Sequence, residues 1–175
     1  MGGGAMAPIG RKIAALFAVP VAIVLLGQPM LAAASDEEGG SGSGTFAELS
    51  FVGVPIVTTT ADGTTLIAQS TTGVFTGTIS GPFTEVLVAA VFADGTQAFS
   101  GYDTCVCSVG GISGSFADKF QGSGIVPNFT GTLTVIRGTG GLSKLHATAK
   151  FTGAVAATGL ASGQYSIQYR FHSDS

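Results

Sequence analysis

The sequence contains no tryptophan, only two cysteines and few charged side chains, which make up 10% of its 175 residues. Its seven basic residues form no cluster, so nucleic-acid binding, which needs cations to replace counterions on phosphates, is disfavoured. No glycine-rich loop opens a helix to hold a phosphate, and two thiols without a neighbouring histidine make a poor zinc site. These absences predict a protein with no metal, no cofactor and no nucleic-acid partner.

The first 34 residues have the three parts of a signal peptide. Arg11 and Lys12 provide the positive start, residues 13–26 form an apolar run, and the alanines at 32–34 offer a small-x-small cleavage site. A helix over the apolar run would span about 21 Å, which is short of the ~30 Å hydrocarbon core. We therefore expect a cleaved signal peptide over residues 1–34 and a secreted, periplasmic or cell-envelope protein. The alternative is an uncleaved leader, which would be the chain's only contact with a membrane.

Residues 35–44, with the sequence SDEEGGSGSG, are acidic and rich in glycine and serine. This composition is typical of a flexible linker, so we expect the folded domain to occupy residues 45–175. Without the leader the chain keeps five basic and ten acidic side chains, a net charge of about −5. A charge of this size mainly favours solubility.

The composition after residue 45 indicates an all-β domain. The chain has 28 glycines with no collagen-like period, and its segments alternate apolar and polar residues. No 3.6-residue apolar stripe persists over three turns, so we predict no substantial helix. Turns are predicted at Asp94-Gly95, at Gly81-Pro82 and over residues 138–141. The predicted strands cover 45–53, 65–80, 83–93, 96–104, 110–122, 125–137, 145–156 and 163–172.

The triplet Phe-Thr-Gly occurs three times, at residues 75–77, 129–131 and 151–153. In a strand the ring and the glycine share one face, and a narrow barrel needs such alternation because its opposite walls must interdigitate. We predict an eight-stranded antiparallel closed barrel, with a two-sheet β-sandwich as the alternative. The glycines either let the rings pack together or leave a ligand cavity. The candidate lumen residues are Phe75, Phe116, Phe129 and Phe151.

Several turn and core segments carry a resemblance to a known family. These segments are Gly44-Thr45-Phe46, the hairpin at 93–96 with Phe99-Ser100-Gly101, residues 111–116 and residues 138–142. Over roughly residues 44–172 the chain resembles a bacterial family of unknown function, grouped with the allene oxide cyclase barrel-like proteins. The resemblance implies an eight-stranded antiparallel barrel whose relatives include plant cyclases, dirigent-like proteins and polyketide cyclases. No residue here matches a plant cyclase's catalytic set, so the resemblance assigns none.

Cys105-Val106-Cys107 is the most unusual local feature. Paired cysteines of exported proteins are usually oxidised, and we predict a disulfide between Cys105 and Cys107. Residues two apart in a strand have Cα atoms about 6.5–7 Å apart, so the bond needs a bend, which a turn before Gly110-Gly111 could supply. Reduced or intermolecular thiols and a redox function are the alternatives.

Three carboxylates, those of Glu85, Asp103 and Asp118, share strand faces with apolar side chains. If these faces point into the barrel, burial would raise the pKa values and prepare one group as a general acid or base. The simpler interpretation, which the sequence favours, places these groups at the barrel rim in water, with Asp103 as a turn residue.

The last strand places Tyr165 and Tyr169 on an aromatic face that we assign to the core. One or both hydroxyls would reach the mouth, where they could orient a ligand. His146 and His172 have no Ser or Cys partner at a recognisable spacing, so we interpret them as ordinary surface or turn residues.

Three functions are compatible with these features. The first is an exported barrel that binds a small apolar molecule in or at the mouth of the barrel. The second is a cyclase or isomerase that positions a reactive lipid- or polyketide-like substrate in an apolar lumen. The third is a structural or surface interaction protein, whose Thr/Val-rich faces would allow a homo-oligomer. Candidate catalytic residues for the second are Asp118, Glu85, Tyr165 and Tyr169.

Overall fold

The alternating, glycine-rich sequence folds into antiparallel β-strands. The computed structural model describes residues 38–172, and the predicted signal peptide over 1–34 lies outside them. No helix occurs in this part of the chain, as predicted, and so none that is long and apolar enough to span a membrane. The strands are β1 (Glu38–Phe51), β2 (Ile56–Thr59), β3 (Thr65–Gly77), β4 (Ile79–Val91), β5 (Thr96–Val109), β6 (Ile112–Ile125), β7 (Asn128–Gly140), β8 (Leu145–Val155) and β9 (Ala161–Phe171).

The strands form one sheet that closes on itself. Their order is β1-β9-β8-β7-β6-β5-β4-β3-β2, and β1 also pairs with β3, which completes a barrel of eight strands. The predicted closed barrel is confirmed, and the β-sandwich alternative is wrong. β2 is an additional short strand. It pairs with β3 at Ile56↔Ala68, just beyond the pair Phe51↔Thr71, so it continues the line of β1 along the same neighbour.

The structure corrects the predicted linker, because residues 38–44 belong to strand β1. They pair with β9 from Glu38↔Phe171 onward. Gly40 and Gly44 lie opposite Tyr169 and Tyr165, and a Cβ atom on either glycine would overlap the tyrosine ring. A glycine-rich composition is therefore required here by the packing of two aromatic rings, and composition alone cannot distinguish this requirement from flexibility.

Of two predicted turns, one is confirmed and the other is wrong. The Asp94-Gly95 hairpin is confirmed: Gly95 has a φ of 82°, and the Asp94 carboxylate accepts a hydrogen bond of 2.9 Å from the Thr96 N–H. The turn at Gly81-Pro82 is wrong, because both residues lie inside β4 and the chain reverses at Thr78. A Gly-Pro pair signals a turn by backbone preference, yet here the pair sits near the start of a strand, where proline is tolerated.

The two ends of the barrel are different. We call the end that carries loops 60–64, 92–95, 126–127 and 156–160 the mouth. At the opposite end, the closed end, apolar side chains fill the interior. The most deeply buried of these are Ile79, Val109 and Leu142, each at most 1% exposed.

Inward-facing phenylalanines cover glycines on the neighbouring strand. In six cross-strand pairs a phenylalanine lies directly opposite a glycine, and a Cβ atom on that glycine would overlap the ring. Large and small residues therefore alternate across strands as well as along them, and this lets rings from all sides share a narrow interior. The pairs are Phe46–Gly163, Phe83–Gly73, Phe99–Gly122, Phe120–Gly101, Phe129–Gly153 and Phe151–Gly131.

Candidate functional site

A cavity of about 270 Å³ occupies the barrel interior and extends from Val91 and Val126 at the mouth to Ile79 near the closed end. Its walls are mainly aromatic and aliphatic, with ring centroids of neighbouring phenylalanines 4.6–6.5 Å apart. The volume is just below the ~300 Å³ at which pockets for drug-sized ligands begin, so the cavity suits a small molecule. Of the predicted lumen residues, Phe75, Phe129 and Phe151 line the cavity, whereas Phe116 is buried in the core and does not line it.

The three carboxylates identified in the sequence meet inside the barrel. Glu85 on β4 lies directly opposite Asp103 on β5, and Asp103 lies directly opposite Asp118 on β6. Asp103 is 4% exposed and Asp118 is fully buried. Their placement at a rim in water, and Asp103 as a turn residue, are therefore wrong. The physical reason is that β4 begins earlier than predicted, at Ile79, while β5 and β6 end later, at Val109 and Ile125. Residues near the expected strand ends therefore lie near strand centres.

A fourth carboxylate, Glu48 on β1, joins this group and escaped the sequence analysis. Its Oε1 accepts a hydrogen bond of 3.2 Å from the hydroxyl of Thr71, and its Oε2 accepts one of 2.6 Å from the N–H of Ala161. The side chain of Glu48 also helps to raise the pKa of Glu85. Glu48 lies two residues after Phe46, whose ring faces the lumen, and this spacing is the signal that could have found it.

Burial and mutual repulsion favour the protonated forms of Glu85, Asp103 and Asp118. Burial, followed by the nearby charges of Asp103 and Glu48, raises the pKa of Glu85 to about 10. Burial, followed by the charge of Glu48, raises the pKa of Asp103 to about 7. Burial and then the charge of Asp103 raise the pKa of Asp118 well above its usual value. Near neutral pH the group therefore holds several neutral carboxylic acids in an apolar interior.

The cluster of carboxyl groups has unused hydrogen-bonding capacity. Glu85 Oε1, Asp103 Oδ1 and both Asp118 oxygens are buried without a hydrogen-bond partner. Glu48, Glu85 and Asp103 line the cavity, whereas Asp118 lies behind Asp103, outside the cavity lining. Within residues 38–172, no group of three or more His, Cys, Asp or Glu side chains is arranged to hold a metal ion.

The two candidate tyrosines lie towards the closed end, so their expected position at the mouth is wrong. Tyr165 lines the inner part of the cavity, but its hydroxyl accepts a hydrogen bond of 2.7 Å from the Ile79 N–H and donates one of 2.9 Å to the Ile79 carbonyl. Tyr169 packs near Phe171, with ring centroids 6.0 Å apart, and does not line the cavity. The hydroxyl of Tyr165 therefore holds the β3–β4 hairpin.

Cys105 and Cys107 lie within strand β5 rather than in a turn. Their sulfurs are joined as a disulfide and their Cα atoms are 5.4 Å apart, closer than the usual spacing along a strand. Both residues are buried below the cavity, at 1% and 5% exposure. The bend therefore occurs inside the strand, and the apolar surroundings support a structural role.

His146 and His172 are both exposed, as predicted for surface residues, and the fold brings them together. His146 is the second residue of β8 and lies beside the end of β9, and the two rings have centroids 4.4 Å apart at the closed end. They lie outside the barrel, away from the cavity.

Fold and site together define a closed antiparallel β-barrel with an interior cavity. Its walls are mainly apolar, but Glu48, Glu85 and Asp103 also line it, and we call this carboxyl-lined part the floor. The solved structure of a protein of unknown function from the DUF3224 family of Shewanella oneidensis MR-1 has a similar fold. It is 20% identical, with a TM-score of 0.59, and the match covers 78% of this chain and 100% of that one. At this identity the likeness shows the fold alone. No family model and no curated protein matches the sequence.

Proposed function

We propose that this chain is an exported barrel protein that binds a small, mainly apolar molecule inside the barrel. The cavity is the observation that carries the proposal. Filling it with apolar atoms would remove aromatic and aliphatic surface from water, worth roughly 25 cal/mol per Å². The signal-peptide pattern over residues 1–34 supports export, and a secreted product that lacks these residues in intact-mass measurement would test that part.

A binding measurement with a simple apolar probe tests the cavity. Octan-1-ol added to the purified barrel should give a saturable, one-to-one heat of binding and a raised melting temperature. Ala89 lies on the cavity wall, whereas Ala90 points to the outer face of the same strand. Ala89→Phe should therefore abolish binding and Ala90→Phe should leave it unchanged. Binding that is absent, or that is equal in the two variants, would refute the proposal.

A second candidate function, a cyclase or isomerase, is favoured by the protonated carboxyls at the cavity floor. Asp103 or Glu85 could donate a proton to a substrate that the apolar walls hold in one conformation. The resemblance to allene oxide cyclase barrel-like proteins supports this candidate by analogy of fold. Turnover of a reactive lipid- or polyketide-like substrate that is lost in Asp103→Asn would establish it in place of simple binding.

A further inference from the structure

The cavity floor holds carboxyl oxygens that lack hydrogen-bond partners. Glu85 Oε1 and Asp103 Oδ1 both belong to cavity-lining residues and both lack a partner. The described residues that line the cavity include no lysine, arginine or histidine. A buried acceptor without a donor is unfavourable, so hydrogen-bond donors from a ligand would be stabilising at this point.

We propose that the natural ligand is an amphiphilic amine, whose ammonium group is held by Glu85 and Asp103 while its apolar body fills the cavity. This inference rests on the proposed binding function and names the chemical class of the ligand. An ammonium offers three donors and no acceptor, which complements carboxyl oxygens that have no donor. A carboxylate ligand would instead add a like charge to the floor, and an alcohol would supply one donor only.

The charges outside the lumen favour entry of a cation. Asp62 and Asp94 lie in the loops at the mouth, and hydrogen bonds from Thr60 and Thr96 respectively hold the pKa of each below its usual value. Both are therefore charged near neutral pH. Arg137, Lys144 and Arg170 lie towards the closed end, where Glu38 also begins β1. A negative mouth raises the local concentration of cations and speeds their association.

Binding of an ammonium should displace a proton. The titratable groups at the floor are Glu48 on β1, Glu85 on β4, Asp103 on β5 and Asp118 on β6, with Tyr165 further in. When R–NH₃⁺ meets a neutral carboxyl, the carboxyl O–H bond breaks, the proton leaves to solvent and an R–NH₃⁺···⁻OOC pair remains. Affinity for the cation therefore rises as pH increases. An alkylammonium with a pKa near that of lysine, about 10.4, stays charged over the whole pH range in which the carboxyls lose their protons.

The test compares n-octylamine, octan-1-ol and octanoate by calorimetry at about pH 6 and about pH 8.5. We expect octylamine to bind ~10-fold or more tighter than octan-1-ol at the higher pH, because hydrogen bonds to charged groups are the stronger ones. Its measured heat should vary with the ionisation enthalpy of the buffer, which reports the released proton. Octan-1-ol should bind no better at the higher pH, and octanoate should bind least.

Variants locate the effect. Asp103→Asn and Glu85→Gln should each remove most of the octylamine preference but keep octan-1-ol binding, whereas Thr104→Asn on the exposed outer face of β5 should retain the preference. Octylamine that binds no tighter than octan-1-ol would overturn the amine proposal and leave the binding function intact. Failure of all three probes would instead refute the binding function itself. Competition of calcium chloride with octylamine would assign the floor to a metal ion and overturn the proposal. The wild-type comparison needs no variant, so the test holds if one fails to fold.

Discussion

Asp103 lies directly opposite Asp118 where strands β5 and β6 pair, and both side chains are buried inside the barrel. Asp118 has no hydrogen-bond partner for either carboxyl oxygen, and Asp103 lacks one for Oδ1. Burial and the proximity of the two groups disfavour a charge on both at once, so their protonation is shared between them. This relationship couples the stability of the barrel to pH.

We expect the free energy of unfolding to fall as pH rises from about 4 to about 7. Burial raises the pKa of Asp103 from 3.8 to about 7, so in this window the unfolded chain has lost a proton that the folded chain keeps. The slope should reach about 1.4 kcal/mol per pH unit for each such carboxyl. Urea denaturation at a series of pH values measures it. Asp103→Asn should flatten the slope and Asp94→Asn should not; stability that rises across the window would contradict the assignment.

Gly131→Ala should destabilise the barrel by about 1–3 kcal/mol, because the new methyl group overlaps the ring of Phe151. Thr130→Ala, on the outer face of the same strand, should cost less. Adding Phe151→Leu to Gly131→Ala should recover part of the loss, since the smaller side chain leaves room for the methyl group. Chemical denaturation of the unmodified protein, the single variants Gly131→Ala and Phe151→Leu, and the double variant gives the coupling energy. Strictly additive effects would show that the ring and the glycine act independently.

Tyr165→Phe should cost about 1–3 kcal/mol, because the hydroxyl group bonds both the N–H and the carbonyl of buried Ile79. The matched control is Tyr102→Phe, whose ring is 60% exposed and whose loss of a hydroxyl should change stability by less than about 0.5 kcal/mol. Thermal denaturation compares them. Because this hydroxyl is occupied by backbone groups, we also expect octan-1-ol binding to survive in Tyr165→Phe.

The Cys105–Cys107 bond should resist chemical attack in the folded protein, because both residues are buried. The intact mass should lie below the fully reduced value by the mass of two hydrogen atoms. Iodoacetamide with a mild reductant should label neither cysteine under native conditions and both after unfolding in urea. Labelling of the folded protein would indicate that this part of β5 opens.

The barrel could be predicted because its strongest rules are local. The Phe-Thr-Gly repeats and the Asp94-Gly95 turn each depend on neighbouring residues only, and both are features of the structure. The strand formed by residues 38–44 could not be predicted, because Gly40 and Gly44 are required by tyrosines more than 100 residues away. At Gly81-Pro82 the backbone preference for a turn was overridden by pairing with Phe75 and Val74 on β3.

The candidate site was predicted in composition but not in position. Alternation placed Glu85, Asp103 and Asp118 on apolar faces, and the general preference of charged groups for water then argued for a rim. That preference fails here because these acids can be buried as neutral carboxyls, and burial itself raises their pKa values. The spacing of Glu48 from Phe46 is a local signal, but the hydrogen bond that Glu48 accepts from the N–H of Ala161 comes from far along the chain and could not be predicted.

The phenylalanine–glycine pairs also determine how the strands align. A slip of one residue between strands turns apolar side chains towards water and is strongly opposed, but a slip of two preserves the alternation. Between β7 and β8 a slip of two in one direction would set Phe129 against Phe151, and a slip of two in the other direction would set Gly131 against Gly153. The first would force two rings into one space, and the second would leave a space that no ring fills. The phenylalanine–glycine pairs inside the barrel thus disfavour a two-residue slip, which the threonine-rich exterior does not.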